Sequence, residues 1–153
     1  MSTDESDANK ALVGRFFQEL VTQRNPDVFD ELLAVNATGT CDGVISFQNR
    51  DEFRANAEQV FTAFPDLEIV TIDQLVAEGD TVAVRWTGAG TQGGTFLGVA
   101  PTGLRVSITN VEMHTIVNGQ IASITSMPDV ASVMRQLNVL RSGPLRTPLN
   151  FFE

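Results

Sequence analysis

The chain has 153 residues, of which 42% are hydrophobic, and its 19 acidic against 10 basic side chains give a formal net charge of −9. This length suits a single domain that buries roughly 70% of the surface of its unfolded chain. The negative charge disfavours nucleic acid and anionic membranes through Coulomb repulsion. The single cysteine, Cys41, excludes an internal disulfide, and one cysteine with one histidine cannot by themselves form a structural zinc site.

Residues 1–10 are polar and acidic, and no window of the sequence has the run of apolar residues that a membrane span requires. We therefore expect a cytoplasmic protein that needs no metal. Its expected partners are small molecules or other copies of itself, and neither nucleic acid nor a membrane.

Three helices are predicted in the first half of the chain. Apolar residues at helical spacing indicate an amphipathic helix over residues 8–22. Asn25-Pro26 is typical of an N-cap followed by proline at the first helical position, and it predicts a short second helix through Leu33. Asn49 with Glu52 resembles a capping pair that opens a third helix, which Pro65 ends.

After Pro65 the pattern changes to the alternation of β-strands. Four strands are predicted, over residues 67–76, 81–92, 104–117 and 120–127. Gly79-Asp80 and Asn118-Gly119 form the turns, and Asn-Gly is favoured in tight hairpins because both residues tolerate positive φ. A last helix is predicted over residues 130–137.

Helices followed by antiparallel hairpins predict an α+β fold, in which N-terminal helices pack on a curved antiparallel sheet and form a cone with a hollow interior for a small apolar molecule. We expect a flexible acidic N-terminus over residues 1–8, the domain over residues 9–138 and a C-terminal tail over residues 139–153. A sheet covered by helices on one face leaves the other face open to a second copy, so a homodimer is expected.

The glycine-rich segment that starts at Gly88 matches the dinucleotide fingerprint GxGxxG, but it does not predict a nucleotide site. That motif directs the N-terminus of a helix at a pyrophosphate. Here Gly94, Gly98, Pro101 and Gly103 follow, and no helix can start. These glycines are better suited to bending a strand.

Asp129 is the carboxylate of most interest, because it lies where the last strand gives way to a helix, among apolar residues. Pro128-Asp129-Val130 is good N-cap sequence. A carboxyl group bordered by apolar side chains is also suited to general acid/base work. Both interpretations stay open, and they do not exclude each other.

His114, the single histidine, is a possible proton carrier because of its titration range. It alternates with Val111 and Met113, which favours a polar, solvent-exposed side for His114. Trp86 and Arg85 point to opposite faces of their strand, so one of the two faces inward. No Ser-His-Asp set, GxSxG elbow or P-loop lysine is present, which leaves proton transfer in an apolar cavity as the chemistry that the chain can support.

Four segments resemble the SnoaL-like polyketide cyclases, which have the nuclear-transport-factor-2-like fold. The segments are FPDLEI at Phe64–Ile69, EGDTVAVRWT at Glu78–Thr87, GTQGGTFLGVAPTG at Gly90–Gly103 and NGQIASITSMPD at Asn118–Asp129. The resemblance implies ring closure in a polyketide by intramolecular aldol condensation, with no metal or cofactor and with an aspartate as general acid/base. The spacing carries that aspartate onto Asp129.

Several positions depart from the family pattern. The histidine of the family's GTHxG segment is Gln92 here, its lysine is Gln120, its glutamate is Ser123 and its tryptophan is Thr125, and a second His-Asp pair corresponds to Cys41-Asp42. Gln92 can still donate a hydrogen bond through its amide.

The leading hypothesis is therefore a cofactor-free cyclase or isomerase that acts on a polyketide- or terpenoid-like carbonyl compound, with Asp129 as acid/base and Gln92 as the neutral oxygen donor. Candidate substrate-binding residues are Trp86, Thr125, His114 and Phe64. The alternatives are a non-catalytic binding or dimerisation module of the same fold, and an epoxide hydrolase-like enzyme. The last would need an acid pair bridged by an arginine, for which only Arg85 is placed.

Overall fold

The computed structural model of the protein describes residues 3–41 and 45–140, and its first elements are helical, as the sequence predicts. Helix α1 spans Thr3–Arg15 and continues directly into a π-helical segment, Phe16–Thr22. The helix begins earlier than predicted and changes its winding at Phe16. The apolar side chains responsible for the prediction are the ones that are buried: Val13, Phe16, Phe17 and Leu20.

Two further helices follow, α2 over Val28–Leu32 and α3 over Arg50–Ala63. The predicted capping pair of α3 is confirmed. The Asn49 side chain accepts a hydrogen bond of 2.9 Å from the backbone N–H of Glu52, and the Glu52 carboxylate accepts one of 2.8 Å from the backbone N–H of Gln48. The first bond satisfies a donor that the first turn of a helix leaves unpaired, and the second pairs the N–H of the residue before the cap.

The sheet has six strands in the order β2-β1-β6-β5-β4-β3, and it is curved and open. The strands are β1 Leu33–Cys41, β2 Ile45–Phe47, β3 Glu68–Glu78, β4 Thr81–Thr91, β5 Arg105–Val117 and β6 Gln120–Pro128. The α+β class and the four predicted strands are confirmed. Positive φ angles at Asn118 and Gly119, 50° and 73°, fit the predicted Asn-Gly hairpin.

The first two strands correct the prediction of a wholly antiparallel, four-stranded sheet. Strand β1 starts at Leu33, immediately after α2, and pairs parallel with β6, whereas every other neighbouring pair is antiparallel. No turn residue separates α2 from β1, so the local pattern resembles a continuing helix. The partner of β1 lies far along the chain, and local alternation cannot reveal it.

Helix α4, Val130–Gln136, closes the described domain. Of the predicted tail, residues 141–153 lie outside the described residues, as does Asp42 of the Cys41-Asp42 pair. The larger buried cluster joins side chains of the helices to the inner face of the sheet through Phe17, Leu32, Val84 and Ile121. Among the described helices, none has both the length and the apolar character needed to cross a membrane.

Candidate active site

A cavity of about 240 Å³ lies between the helices and the inner face of the sheet. Its wall is overwhelmingly apolar. The π-helical segment contributes Phe16, Phe17 and Leu20, and α3 contributes several more apolar side chains. Apolar pockets with few polar groups are typical binding sites for small molecules.

The polar residues of β5 face this interior. Asn110, Glu112 and His114 are all buried, whereas Val111 and Met113 are 42% and 47% exposed. The hydropathy of this strand is therefore inverted relative to the usual arrangement, and the predicted solvent-exposed side for His114 is wrong. The pairing with β4 shows the reason, because His114 and Glu112 lie opposite Val82 and Val84, which are inner-face residues.

Glu112 is the centre of a buried hydrogen-bond network. Its Oε1 accepts hydrogen bonds from Trp86 Nε1 at 3.0 Å and from Asn110 Nδ2 at 2.9 Å. Its Oε2 lies 2.8 Å from His114 Nε2. Glu112 lines the cavity and is the single carboxylate among the described lining residues.

His114 lies behind Glu112 and does not line the cavity. Its ring makes edge contacts with Phe16 and Phe17, with centroids 5.3 and 5.9 Å away. Its Nδ1 is buried and has no hydrogen-bond partner among the described residues. A ring that carries its hydrogen on Nε2 donates it to Glu112, and the buried Nδ1 is then an unused lone pair.

Asn110 and Ser126 extend the network to the neighbouring strand. Asn110 Nδ2 also donates to Ser126 Oγ at 2.8 Å, and Asn110 Oδ1 accepts from the backbone N–H of Met127 at 3.1 Å. Both Asn110 and Ser126 line the cavity. Ser126 lies directly opposite Glu112 in the β5–β6 pairing, so the two side chains are neighbours on the inner face.

Gln92 serves a loop instead of the cavity. It is fully buried, and its Nε2 lies 3.0 to 3.2 Å from the backbone carbonyls of Gly94, Val99 and Ala100. Its Oε1 accepts from the hydroxyl and the backbone N–H of Thr102. The amide is fully used by residues of its own loop, and Gln92 is not among the residues that line the cavity.

Asp129 is exposed, and its Oδ1 accepts a hydrogen bond of 2.9 Å from the backbone N–H of Ser132 at the start of α4. Its neighbours Pro128 and Val130 line the cavity, but Asp129 does not. The predicted N-cap is thus confirmed. The structure does not bring Asp129 and Gln92 together in the cavity, because the side chain of each is directed to backbone groups elsewhere.

Of the other predicted site residues, two line the cavity and one lies outside it. Trp86 and Phe64 line the cavity. Thr125 is exposed and lies opposite Met113, on the outer face. Three polar residues of the cavity were not predicted from the sequence: Glu112, Asn110 and Ser126. Once the indole of Trp86 is placed inside, the antiparallel register of β4 and β5 puts Asn110 and Glu112 inside as well.

No group of three or more metal-binding side chains occurs in the part of the chain that the structure describes. The cavity wall contains neither arginine nor lysine among the described residues. Arg85 lies on the outer face, where it forms an ion pair of 3.0 Å with Asp73.

A curved, open sheet whose inner face closes with helices around an apolar cavity defines an α+β cone of the nuclear-transport-factor-2-like type. The sequence profile described as SnoaL-like polyketide cyclase matches residues 11–137. The chain therefore belongs to the SnoaL-like polyketide cyclase family. No curated protein matches the sequence.

Several solved structures are similar over nearly the whole domain. A candidate SnoaL-like polyketide cyclase from Jannaschia sp. CCS1 is 25% identical, with 92% of this chain and 99% of that chain covered and a TM-score of 0.84. AclR of Streptomyces galilaeus, described as a candidate hydroxylase, is 24% identical over 92% and 91% of the two chains, with a TM-score of 0.80. An epoxide hydrolase of M. tuberculosis is 18% identical over 88% and 92%, with a TM-score of 0.71. The last two similarities show the fold alone.

Proposed function

We propose that the protein is a cofactor-free cyclase or isomerase that moves a proton next to the carbonyl group of a small polyketide- or terpenoid-like compound. One observation carries this proposal: an apolar cavity contains a single carboxylate among its described lining residues, and neutral hydrogen-bond donors hold that carboxylate in place. Such an arrangement suits general acid/base chemistry on an otherwise apolar molecule. Family membership agrees with it.

A ligand-binding measurement with a matched pair of variants tests the cavity. Ala57 lines the cavity from α3, whereas Ala55 is exposed on the same helix. Ala57→Phe fills part of the space, and Ala55→Phe adds the same group outside it. We expect small cyclic ketones to raise the melting temperature of the parent and of Ala55→Phe but not of Ala57→Phe. Equal shifts in all three proteins would show that the ketones bind elsewhere.

A non-catalytic binding module is the second candidate. One observation favours it. Asp129 corresponds to the family's acid/base and Gln92 to its oxygen-binding histidine, and neither residue lines the cavity. Ketones that bind without any turnover or proton exchange would support it. Epoxide hydrolysis finds less support, because the described lining offers one carboxylate and no arginine to bridge an acid pair.

A further inference from the structure

Glu112 occupies a position that the family's aspartate does not predict. We propose that Glu112 is the acid/base of the cavity, that the Ser126 hydroxyl donates to the carbonyl oxygen of the substrate, and that the substrate is a neutral ketone of one or two rings. This inference rests on the proposed function and names the residues and the substrate class for it.

Counting hydrogen bonds shows which atom can take a proton. Each carboxylate oxygen has two accepting lone pairs. Trp86 Nε1 and Asn110 Nδ2 fill both positions on Oε1, at 3.0 and 2.9 Å. His114 Nε2 fills one position on Oε2, at 2.8 Å. One accepting position is left on Oε2, and the residue borders the cavity.

The donors around Glu112 also suit a group that must gain and lose a proton. Trp86 and Asn110 are neutral donors. Because no described ion pair with arginine or lysine holds Glu112, taking up a proton breaks no such pair. The three donors lie on β4 and β5, so they fix the carboxylate from rigid elements and not from a loop.

Ser126 supplies the second polar group. Its Oγ already accepts from Asn110 Nδ2 at 2.8 Å, so the hydroxyl hydrogen is the part that can point to a ligand. Residues directly opposite in an antiparallel pair have Cβ atoms about 5 Å apart, and Ser126 is opposite Glu112. One carbonyl compound can therefore contact the carboxylate with its adjacent carbon and the hydroxyl with its oxygen.

The chemistry balances without a co-reactant. Glu112 Oε2 takes a proton from the carbon next to the carbonyl, the C–H electron pair becomes the C=C bond of an enolate, and the negative oxygen accepts from Ser126. In isomerisation of a ketone with a C=C bond between its β and γ carbons, the enolate is a dienolate, so the same proton returns from Glu112 to the γ carbon and the C=C bond moves next to the carbonyl. In ring closure the enolate carbon bonds to a second carbonyl carbon of the same molecule, and the oxygen formed there takes the proton from Glu112.

The volume sets the size of the substrate. An apolar cavity of about 150 Å³ in an engineered protein accommodates benzene. At about 240 Å³ the cavity here has room for one or two rings. The absence of a described basic residue from the wall favours a neutral ligand over an anionic one.

Proton exchange in heavy water tests the proposal without the natural substrate. The probes are cyclohexanone, 1-indanone and 2-tetralone, whose protons next to the carbonyl exchange with solvent deuterium when a base removes them. Proton NMR follows this loss. The chain has a single tryptophan, so the indole N–H signal of Trp86, which is bonded to Glu112, reports binding in parallel samples prepared in ordinary water.

We expect the parent to bind at least one ketone and to accelerate its exchange. Glu112→Gln keeps the shape and should lower the accelerated rate by about a hundredfold or more, while the ketone still shifts the Trp86 signal. Glu58→Gln, the same change at an exposed site on α3, should match the parent. Ser126→Ala should lower the exchange rate by about a hundredfold, as removal of an oxygen-stabilising donor does.

The outcomes distinguish a wrong assignment of Glu112 from a wrong proposed function. If Glu112→Gln exchanges as fast as the parent, the assignment of Glu112 is wrong and the proposed function stands; loss of exchange in Asp129→Asn would then identify Asp129. If the parent binds a ketone but never accelerates exchange, or binds none of the three, both proposals are overturned. If Glu112→Gln does not fold, Glu112→Asp replaces it, because it keeps the charge but withdraws the carboxylate by one methylene. The proposal then requires the exchange rate of Glu112→Asp to fall at least about tenfold.

Discussion

The side-chain amide of Gln92 makes all its hydrogen bonds to its own loop, so we expect its removal to destabilise the fold strongly. Gln92→Ala leaves buried carbonyl groups of Gly94, Val99 and Ala100 without their donor. We expect the free energy of unfolding to fall by about 2 to 4 kcal/mol, because orphaned buried groups carry the full cost of desolvation. Urea titration measures this change.

The control is Gln120→Ala. Gln120 also donates to backbone carbonyls, those of Asp30, Glu31 and Leu33, but it is partly exposed and water can replace it. Its loss should cost less than about 1 kcal/mol. Equal costs for the two variants would show that the Gln92 loop opens to solvent and that its amide is free for another role.

A second residue, Asp66, links stability to pH. Hydrogen bonds from the backbone N–H and the hydroxyl of Thr91 lower the pKa of Asp66, with a smaller effect from Arg105. A carboxyl group with a lowered folded-state pKa stabilises the fold above its unfolded pKa of about 3.9, and this stabilisation is lost as the pH falls through the lower folded value.

Asp66→Asn should therefore destabilise the protein more at pH 7 than at pH 2, and the gap between parent and variant should narrow as the pH falls. Melting temperatures across this range measure it. Glu68→Gln is the control, since it removes a neighbouring surface pair with Arg105 but no bond to Thr91. A gap that stays constant down to pH 2 would contradict the assignment.

At the scale of elements, β1 depends on the close approach of Gly39 to the neighbouring strands β6 and β2. A Cβ atom at Gly39 would meet the carbonyl oxygen of Ile124 on β6 and the ring of Phe47 on β2. Gly39→Ala should therefore lower the free energy of unfolding by about 1 to 3 kcal/mol, the usual cost of overpacking. Thermal or chemical denaturation provides the measurement.

Gly14 provides a matched comparison, because nothing lies within 4 Å of a Cβ placed there and the residue is in α1. Gly14→Ala should stabilise the protein by up to about 1 kcal/mol through helix propensity. If both alanine variants proved stabilising, β1 would have to sit farther from Ile124 and Phe47 than the structure places it.

The sequence predicts an element well when the pattern that specifies it is local in the chain. Three patterns are local and predicted their elements to within a few residues. They are the Asn49 and Glu52 capping pair, the Asn118-Gly119 turn and the alternation of β3 to β6. The parallel pairing of β1 with β6 is not local. The inward side chains of β5 could not be predicted for a related reason. Glu112 and Asn110 face inward because they bond to one another and to Trp86, whereas an alternation rule sends polar residues outward.

At the scale of the whole molecule, the outer face of the sheet is the expected dimer interface. Val111, Met113 and Met127 are exposed there by 42%, 47% and 65%, and Val111 lies opposite Met127. Pairing with a second copy would bury this apolar surface. Light scattering should therefore return about twice the monomer mass of 16.6 kDa at micromolar protein.

Val111→Arg should shift the mass toward the monomer, because it places a charge at the centre of the expected contact. Val139→Arg is the control, since Val139 is 49% exposed but follows α4 instead of lying on the sheet. A parent that scatters as a monomer in both low and high salt would contradict the dimer.

The π-helical segment Phe16–Thr22 has an evolutionary consequence. A π-turn holds an extra residue relative to an α-turn, as the bond from the Gln23 N–H to the Gln18 carbonyl five residues earlier shows. The wall of the cavity is therefore set partly by the number of residues in a helix and not only by their types. Deleting one codon here would restore α-helical winding and rotate α1 by about 100° relative to Phe17 and Leu20. A lineage could thus change which face of α1 packs on β3 and β4 by gaining or losing a single residue, without any change in the sequence of the strands.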